Sequence, residues 1–215
     1  MRNATSVRRA PATGVLTAAL LTGLLAGPLM GGGTAAAAPA QRPAAAPAPR
    51  ASAAPYAQLR PLADLSARRL ATADLVAAAK YGTDSPIDDP ARERQVLDAV
   101  AAQAAEAGAD PEATVRIFRD QIEANKAVQR GLFRRWDADP SQAPTERPDL
   151  AEVREEINRV NGELVRSVAA SPAARSAPYC KGVLTAAAAH VRHERRLDAL
   201  HSVALGRALP SVCAD

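Results

Sequence analysis

Seven residues, Val115, Phe118, Ile122, Asn125, Gln129, Leu132 and Trp136, follow one another at steps of 3, 4, 3, 4, 3 and 4. That rhythm keeps side chains on one stripe of a helix, so the stretch must fold as a helix with this stripe against a core. Five of the seven are large and apolar. The two in the middle, Asn125 and Gln129, are carboxamides one turn apart. A buried amide costs on the order of 1–3 kcal/mol unless its donors and acceptors are met. Two arrangements meet them: a polar pair that fixes helix register inside a bundle, or a polar ligand pocket within an all-helical domain.

The rest of the chain is punctuated for helices. Alanine is abundant, and no stretch alternates as a strand would. A first helix runs from about Tyr56 to Lys80 and stops near Gly82. Asp89-Pro90 and Asp110-Pro111 each place a carboxylate cap before a first-turn proline. They start helices ending near Gly108 and near Trp136–Asp137. After a proline-rich loop (Pro140, Pro144, Pro148), Asp149 caps a helix with the stripe Leu150, Val153, Ile157, Val160 and Leu164. Ser171-Pro172 ends it, and a last helix covers about Cys180 to Leu209. The expected fold class is all-α, a single-domain bundle of five to six helices.

What precedes this domain reads differently. Residues 1–40 have a basic start (Arg2, Arg8, Arg9), an apolar run from Val15 to Leu29 and the small-residue motif Ala38-Pro39-Ala40. That is the layout of a secretory signal peptide, with an apolar run too short for a membrane span. Residues 41–55 are rich in alanine and proline and are expected to be a disordered leader, leaving 56–215 as the folded domain. The whole chain has 27 basic and 23 acidic residues. Cleavage after Ala40 removes three arginines and no acid, so the mature charge falls from +4 to about +1. A general nucleic-acid footprint is thereby excluded, and no membrane partner is expected after cleavage. Cys180 and Cys213 are the only cysteines, and an even pair in an exported chain reads as one disulfide. His193, Glu194 and His201 lack metal-ligand spacing, so no metal is expected.

The first helix carries a second interrupted stripe: Leu59, Leu62, Ser66, Arg69, Ala73, Val76 and Lys80, again stepping 3, 4, 3, 4, 3 and 4. Arg69 and Lys80 are about three turns, roughly 16 Å, apart on one face, and their long side chains leaning together can hold a small anion between them. Arg92 and Glu93 fall in the first turn of the second helix, and Arg154 in that of the fourth. Glu93 suits the helix dipole there; Arg92 does not. Each of these charges alone also fits an ordinary solvated face.

Taken in order, Arg69, Lys80, Arg92-Glu93, Asn125, Gln129 and Arg154 resemble the active-site set of the all-helical (type II) chorismate mutases, in particular their secreted (gamma) subclass. The blocks 69–80, 86–92, 120–129 and 148–154 carry the likeness, which spans essentially the whole domain and extends to the signal segment and the late cysteine pair. The resemblance implies the Claisen rearrangement of chorismate to prephenate, with no cofactor, metal or covalent intermediate. It implies that Arg69 and Arg154 bind the two substrate carboxylates and that Arg92 adds positive field. Lys80 and Gln129 become the catalytic donors to the ether oxygen, Glu93 the acceptor for the ring hydroxyl. Asn125, standing where the family has a small hydroxyl residue, contacts a carboxylate or orders the pocket. Val96 is apolar where some secreted relatives present a polar contact. A homodimer with each active site inside one chain is also implied. The competing expectation is an exported helical protein that binds a small dicarboxylate without reacting it, which needs the arginines but not Lys80 and Gln129.

Overall fold

The computed structural model describes residues 53–214, and the expected signal peptide and nearly all of the expected leader lie outside the described residues. Seven α-helices follow in order: α1 Ala53–Lys80, α2 Pro90–Glu106, α3 Pro111–Ala138, α4 Leu150–Ala169, the single turn α5 Pro172–Arg175, α6 Cys180–Glu194 and α7 Ala199–Arg207. Two 3-10 turns stand at Pro140–Gln142 and Pro210–Val212, and no strand occurs among the described residues. The fold is all-α as expected. α1 begins three residues before Tyr56, so Ala53, Ala54 and Pro55 are helical.

The caps work as the dipeptides suggest. Asp89 accepts from the Arg92 amide at 3.0 Å, Asp110 from those of Glu112 and Ala113, and Asp149 from that of Ala151. Each satisfies amides that the helix itself leaves without partners. Gly108 closes α2 with φ +75°, and the Ala109 and Gly108 amides fold back to the carbonyls of Ala104 and Ala105.

α1 packs against α3, α4 and α6, while α2 packs on α3 and α4. Every position of the α1 stripe is buried: Leu59, Leu62, Ser66 and Ala73 fully, Arg69, Val76 and Lys80 to within a few per cent. The α3 stripe is buried from Phe118 to Trp136, with Val115 half-buried at its start. α3 also buries a second row, Ile117, Gln121, Ala124 and Val128, because α7 and the C-terminal turn cover that side. Within this row Gln121 donates to Ser66 Oγ at 2.7 Å and to the Ala208 carbonyl at 2.8 Å.

The last helix differs from expectation. The single helix expected from Cys180 to Leu209 is two, α6 and α7, broken at residues 195–198. The Leu197 amide returns to the Arg192 carbonyl and the Arg196 amide to that of His193, with Arg196 at φ +51°. This is the same cap that Gly108 makes, built on an arginine. No glycine marks it, so the sequence pattern runs through. Asp198 then caps α7 through the His201 amide at 2.8 Å. The break turns α7 back onto α3, where Leu200 lies so close to Gly131 that a Cβ there would come within 2.6 Å of Leu200 Cδ1. Cys180 and Cys213 are joined in a disulfide, Cα–Cα 5.8 Å, tying the start of α6 to the C-terminal segment. Arg175 reinforces it, donating from Nε to the Val212 carbonyl and accepting from the Ala214 amide.

Candidate active site

Where α1, α2, α3 and α4 converge they leave a cleft of about 660 Å³, counted out to its open mouth. All seven residues singled out in the sequence line it: Arg69 and Lys80 from α1, Arg92 and Glu93 from α2, Asn125 and Gln129 from α3, Arg154 from α4. Val76, Ile87, Val96, Ile122, Leu150 and Ile157 supply apolar walls. Cys180 and Cys213 lie elsewhere.

Arg69 is the deepest charge, 5% exposed. Its Nε donates to Asn161 Oδ1 and its Nη1 to the Gln121 carbonyl, both at 2.9 Å, and the Phe118 ring lies 6.0 Å away. Burial pushes its pKa down to about 10, with no carboxylate opposing the shift. The guanidinium is still charged at neutral pH. A buried cation held only by neutral acceptors carries a desolvation cost that an anionic ligand would offset.

Lys80 sits at the last position of α1, 8% exposed, its Nζ donating to the Pro86 carbonyl at 2.6 Å. Burial lowers its pKa; Asp89 opposes this and Arg154 adds to it. Arg154 is half-buried and has no hydrogen-bond or ion-pair partner among the described residues. Arg92 makes only long contacts, 3.3 Å to Gln95 and 3.5 Å to Asn158.

The carboxamide pair forms a relay. Gln129 Nε2 donates to Asn125 Oδ1 at 2.7 Å, and Asn125 Nδ2 reaches the Arg69 carbonyl at 3.4 Å. One Gln129 N–H is thereby used and the second is left for the cleft, while its Oε1 is buried without a partner. The two carboxamides thus bond to each other and both line the cleft.

One lining residue was not anticipated. Lys126 is 8% exposed, and its Nζ lies 2.6 Å from Glu123, 3.0 Å from Glu93 and 3.3 Å from Asp88. In sequence it stands one position off the apolar stripe among alternating charges, as a solvated lysine would. The only local cue is Glu123 three residues earlier.

The lining therefore holds five cations against two carboxylates, and four of those cations, Arg69, Lys80, Arg92 and Arg154, have no ion-pair partner among the described residues. Fold and site together define a class: an all-helical protein with a cationic cleft for a small multivalent anion, furnished with neutral hydrogen-bond donors. Residues 60–130 match the model of the chorismate mutase type II family. The secreted chorismate mutase of Mycolicibacterium smegmatis is 39% identical over 153 residues, 71% of this chain and 84% of that protein. That of Mycobacterium tuberculosis is 36% identical over 156 residues, 73% of this chain and 78% of that protein. The crystal structure of chorismate mutase from Burkholderia phymatum superposes with a TM-score of 0.71 at 35% identity, covering 75% of this chain and 99% of that one. The chain belongs to the secreted chorismate mutase family.

Proposed function

We propose that the protein is an exported chorismate mutase that rearranges chorismate to prephenate within this cleft. The observation that carries the reading is the buried, unneutralised Arg69 in one cleft lining with Lys80 and the free N–H of Gln129. The reaction is internal to the substrate: the ether C–O bond breaks while a C–C bond forms. No electron or proton passes to the enzyme, so the chemistry asks for no cofactor or metal.

Chorismate carries two carboxylates. Arg69 and Arg154 receive them, since a guanidinium offers paired N–H donors matched to a carboxylate. Arg92, at the cleft's edge, adds attraction. The enolpyruvyl side chain must fold over the ring before it can react, and holding both carboxylates in a closed space removes much of that entropic cost. As the C–O bond lengthens, negative charge grows on the ether oxygen. The Lys80 ammonium and the Gln129 amide are donors aimed there beforehand, so they favour the transition state over the ground state. Glu93 accepts from the ring hydroxyl. A protein that only bound dicarboxylates would need the arginines but not a buried ammonium and a buried amide converging beside them.

A homodimer with each active site within one chain belongs to this reading. What supports the second half is that all seven residues of the expected site line one cleft within a single chain. Light scattering on the purified protein tests the first. No described helix is long and apolar enough to cross a membrane. Purified protein mixed with chorismate should remove the substrate's ultraviolet absorbance at a rate proportional to enzyme, with prephenate as sole product. Unchanged absorbance at micromolar enzyme would overturn the activity.

A further inference from the structure

Not every group in the cleft is held by a helix. Lys80 ends α1, and its amine is bonded to the Pro86 carbonyl, within the connection 81–89 that leads to α2. This connection is mostly exposed, turns on Gly82 at φ +68° and brings Ile87 and Asp89 to the cleft. A backbone carbonyl on an exposed connection fixes an ammonium only as firmly as the connection itself is fixed. Its beginning has local bonds: Thr83 Oγ1 donates to the Lys80 carbonyl at 2.7 Å and Arg147 to that of Tyr81 at 3.2 Å. Its far end is held by Asp88. That carboxylate takes Arg130 Nη2 at 2.6 and 2.8 Å and Lys126 Nζ at 3.3 Å.

Lys126 is the hub of this arrangement. Its ammonium has three donors, and it meets three carboxylates from three elements: Asp88 of the connection, Glu93 of α2 and Glu123 of α3. Burial pulls its pKa down, but the three carboxylates outweigh that and hold it above the usual lysine value. The cluster does little for overall stability, since exposed ion pairs contribute little and Asp88 is 57% exposed. What it does is geometric. It joins the element carrying the Lys80 acceptor, and the Glu93 carboxylate, to the helix that carries Asn125 and Gln129.

We propose that Lys126 is a positioning residue for the rearrangement. With Arg130 as a second clamp on Asp88, it straps the 81–89 connection to α3, so that the Pro86 carbonyl aims Lys80 and the Glu93 carboxylate keeps its direction. The proposal rests on the reading of Lys80 and Glu93 as substrate contacts. A displacement of about 1 Å in such a group costs up to 10²-fold in rate. Asp88 does not line the cleft, but its charge raises the Lys80 pKa, so the strap is read from Asp88→Asn and Lys126→Met together, which change the local charge in opposite directions.

The test uses Lys126→Met, Lys126→Arg and Asp88→Asn in the full-length protein, with kcat, KM, thermal denaturation and NMR of the Lys80 side-chain ammonium. Lys126→Met and Asp88→Asn should each lower kcat about tenfold, while KM moves less than about threefold because the three arginines are untouched. Their Tm should stay within about 3 °C of wild type, and Lys126→Arg should restore most of the rate. The Lys80 ammonium signal, protected in wild type, should broaden or vanish in the Met and Asn variants. An active wild type with both variants within twofold of it would overturn the proposal and leave the functional reading standing. So would a rate loss that tracks a fall in Tm and is not rescued by arginine. An inactive wild type would instead defeat the functional reading, and the ammonium signal would still decide the strap: unchanged in both variants, it refutes it.

Discussion

Replacing Gln129 by glutamate probes the chemistry through a change of one heavy atom. Gln129 is 3% exposed, and its Nε2 donates to Asn125 Oδ1 at 2.7 Å. In Gln129→Glu at neutral pH, a carboxylate oxygen would face that Asn125 oxygen, acceptor against acceptor. Asn125 can answer by turning its amide, at the expense of its 3.4 Å contact with the Arg69 carbonyl. Either way an ionised side chain has no N–H or O–H for the ether oxygen and instead repels the charge developing there. Losing one preorganised donor costs about 2.7–4 kcal/mol, so kcat/KM at pH 8 should fall roughly 10²–10³-fold. Protonating the new carboxyl restores a donor. Burial raises its pKa, whereas Arg69, Lys80 and Arg154 lower it, and activity should climb back as pH falls toward about 5. The wild-type amide donates at every pH, so its kcat/KM should be nearly flat from about pH 5.5 to 8.5. Its alkaline limb should come earlier than an ordinary lysine allows, because burial lowers the Lys80 pKa and that amine must be protonated to donate. Initial rates by ultraviolet absorbance across this range decide the matter. A Gln129→Glu variant as active as wild type at pH 8 would mean that Gln129 is not the second donor.

Two further outcomes concern stability. Reducing Cys180–Cys213, which closes a span of 33 residues, should cost about 4 kcal/mol and roughly 8–15 °C in Tm, while protein that remains folded stays active because the bond lies away from the cleft; scanning calorimetry and an activity assay with reductant measure both. His201 joins α7 to α1, with Nδ1 2.8 Å from Asp198 and Nε2 3.0 Å from Asp74, and these hydrogen bonds raise its pKa to about 9 against 6.5 unfolded. The stabilisation it provides is therefore complete below about pH 6.5 and is lost as pH rises through about 9. With both aspartates half-exposed it amounts to about 1–2 kcal/mol, read as the difference in Tm between wild type and His201→Gln at pH 6, which should shrink at pH 10.

Much of this was legible because the residues involved obey helical spacing. The two interrupted stripes placed Arg69, Lys80, Asn125 and Gln129 on buried faces, and the structure buries all four. The Asp-Pro and Asp-Leu caps located the starts of α2, α3 and α4 to the residue. Three features were not legible, each for a physical reason. The break between α6 and α7 uses Arg196 in a left-handed conformation that sequence readers associate with glycine. The second buried row of α3 contains Gln121, whose partners Ser66 and Ala208 lie 55 and 87 residues away. Two of the three carboxylates around Lys126 come from a loop and another helix, and the third, Glu123 at i−3, is a pairing any solvated lysine could make. What long-range packing creates, local pattern does not announce.

The division of labour between arginines and donors is most directly tested by measuring kcat and KM for chorismate in wild type, Arg69→Ala and Lys80→Ala side by side. Lys80→Ala should lose about 10²–10³-fold in kcat with little change in KM, because its contact matters most in the transition state. Arg69→Ala should lose in both, because it also holds the ground-state dianion. A Lys80→Ala enzyme that keeps wild-type kcat and only raises KM would contradict the assignment of Lys80 to the ether oxygen.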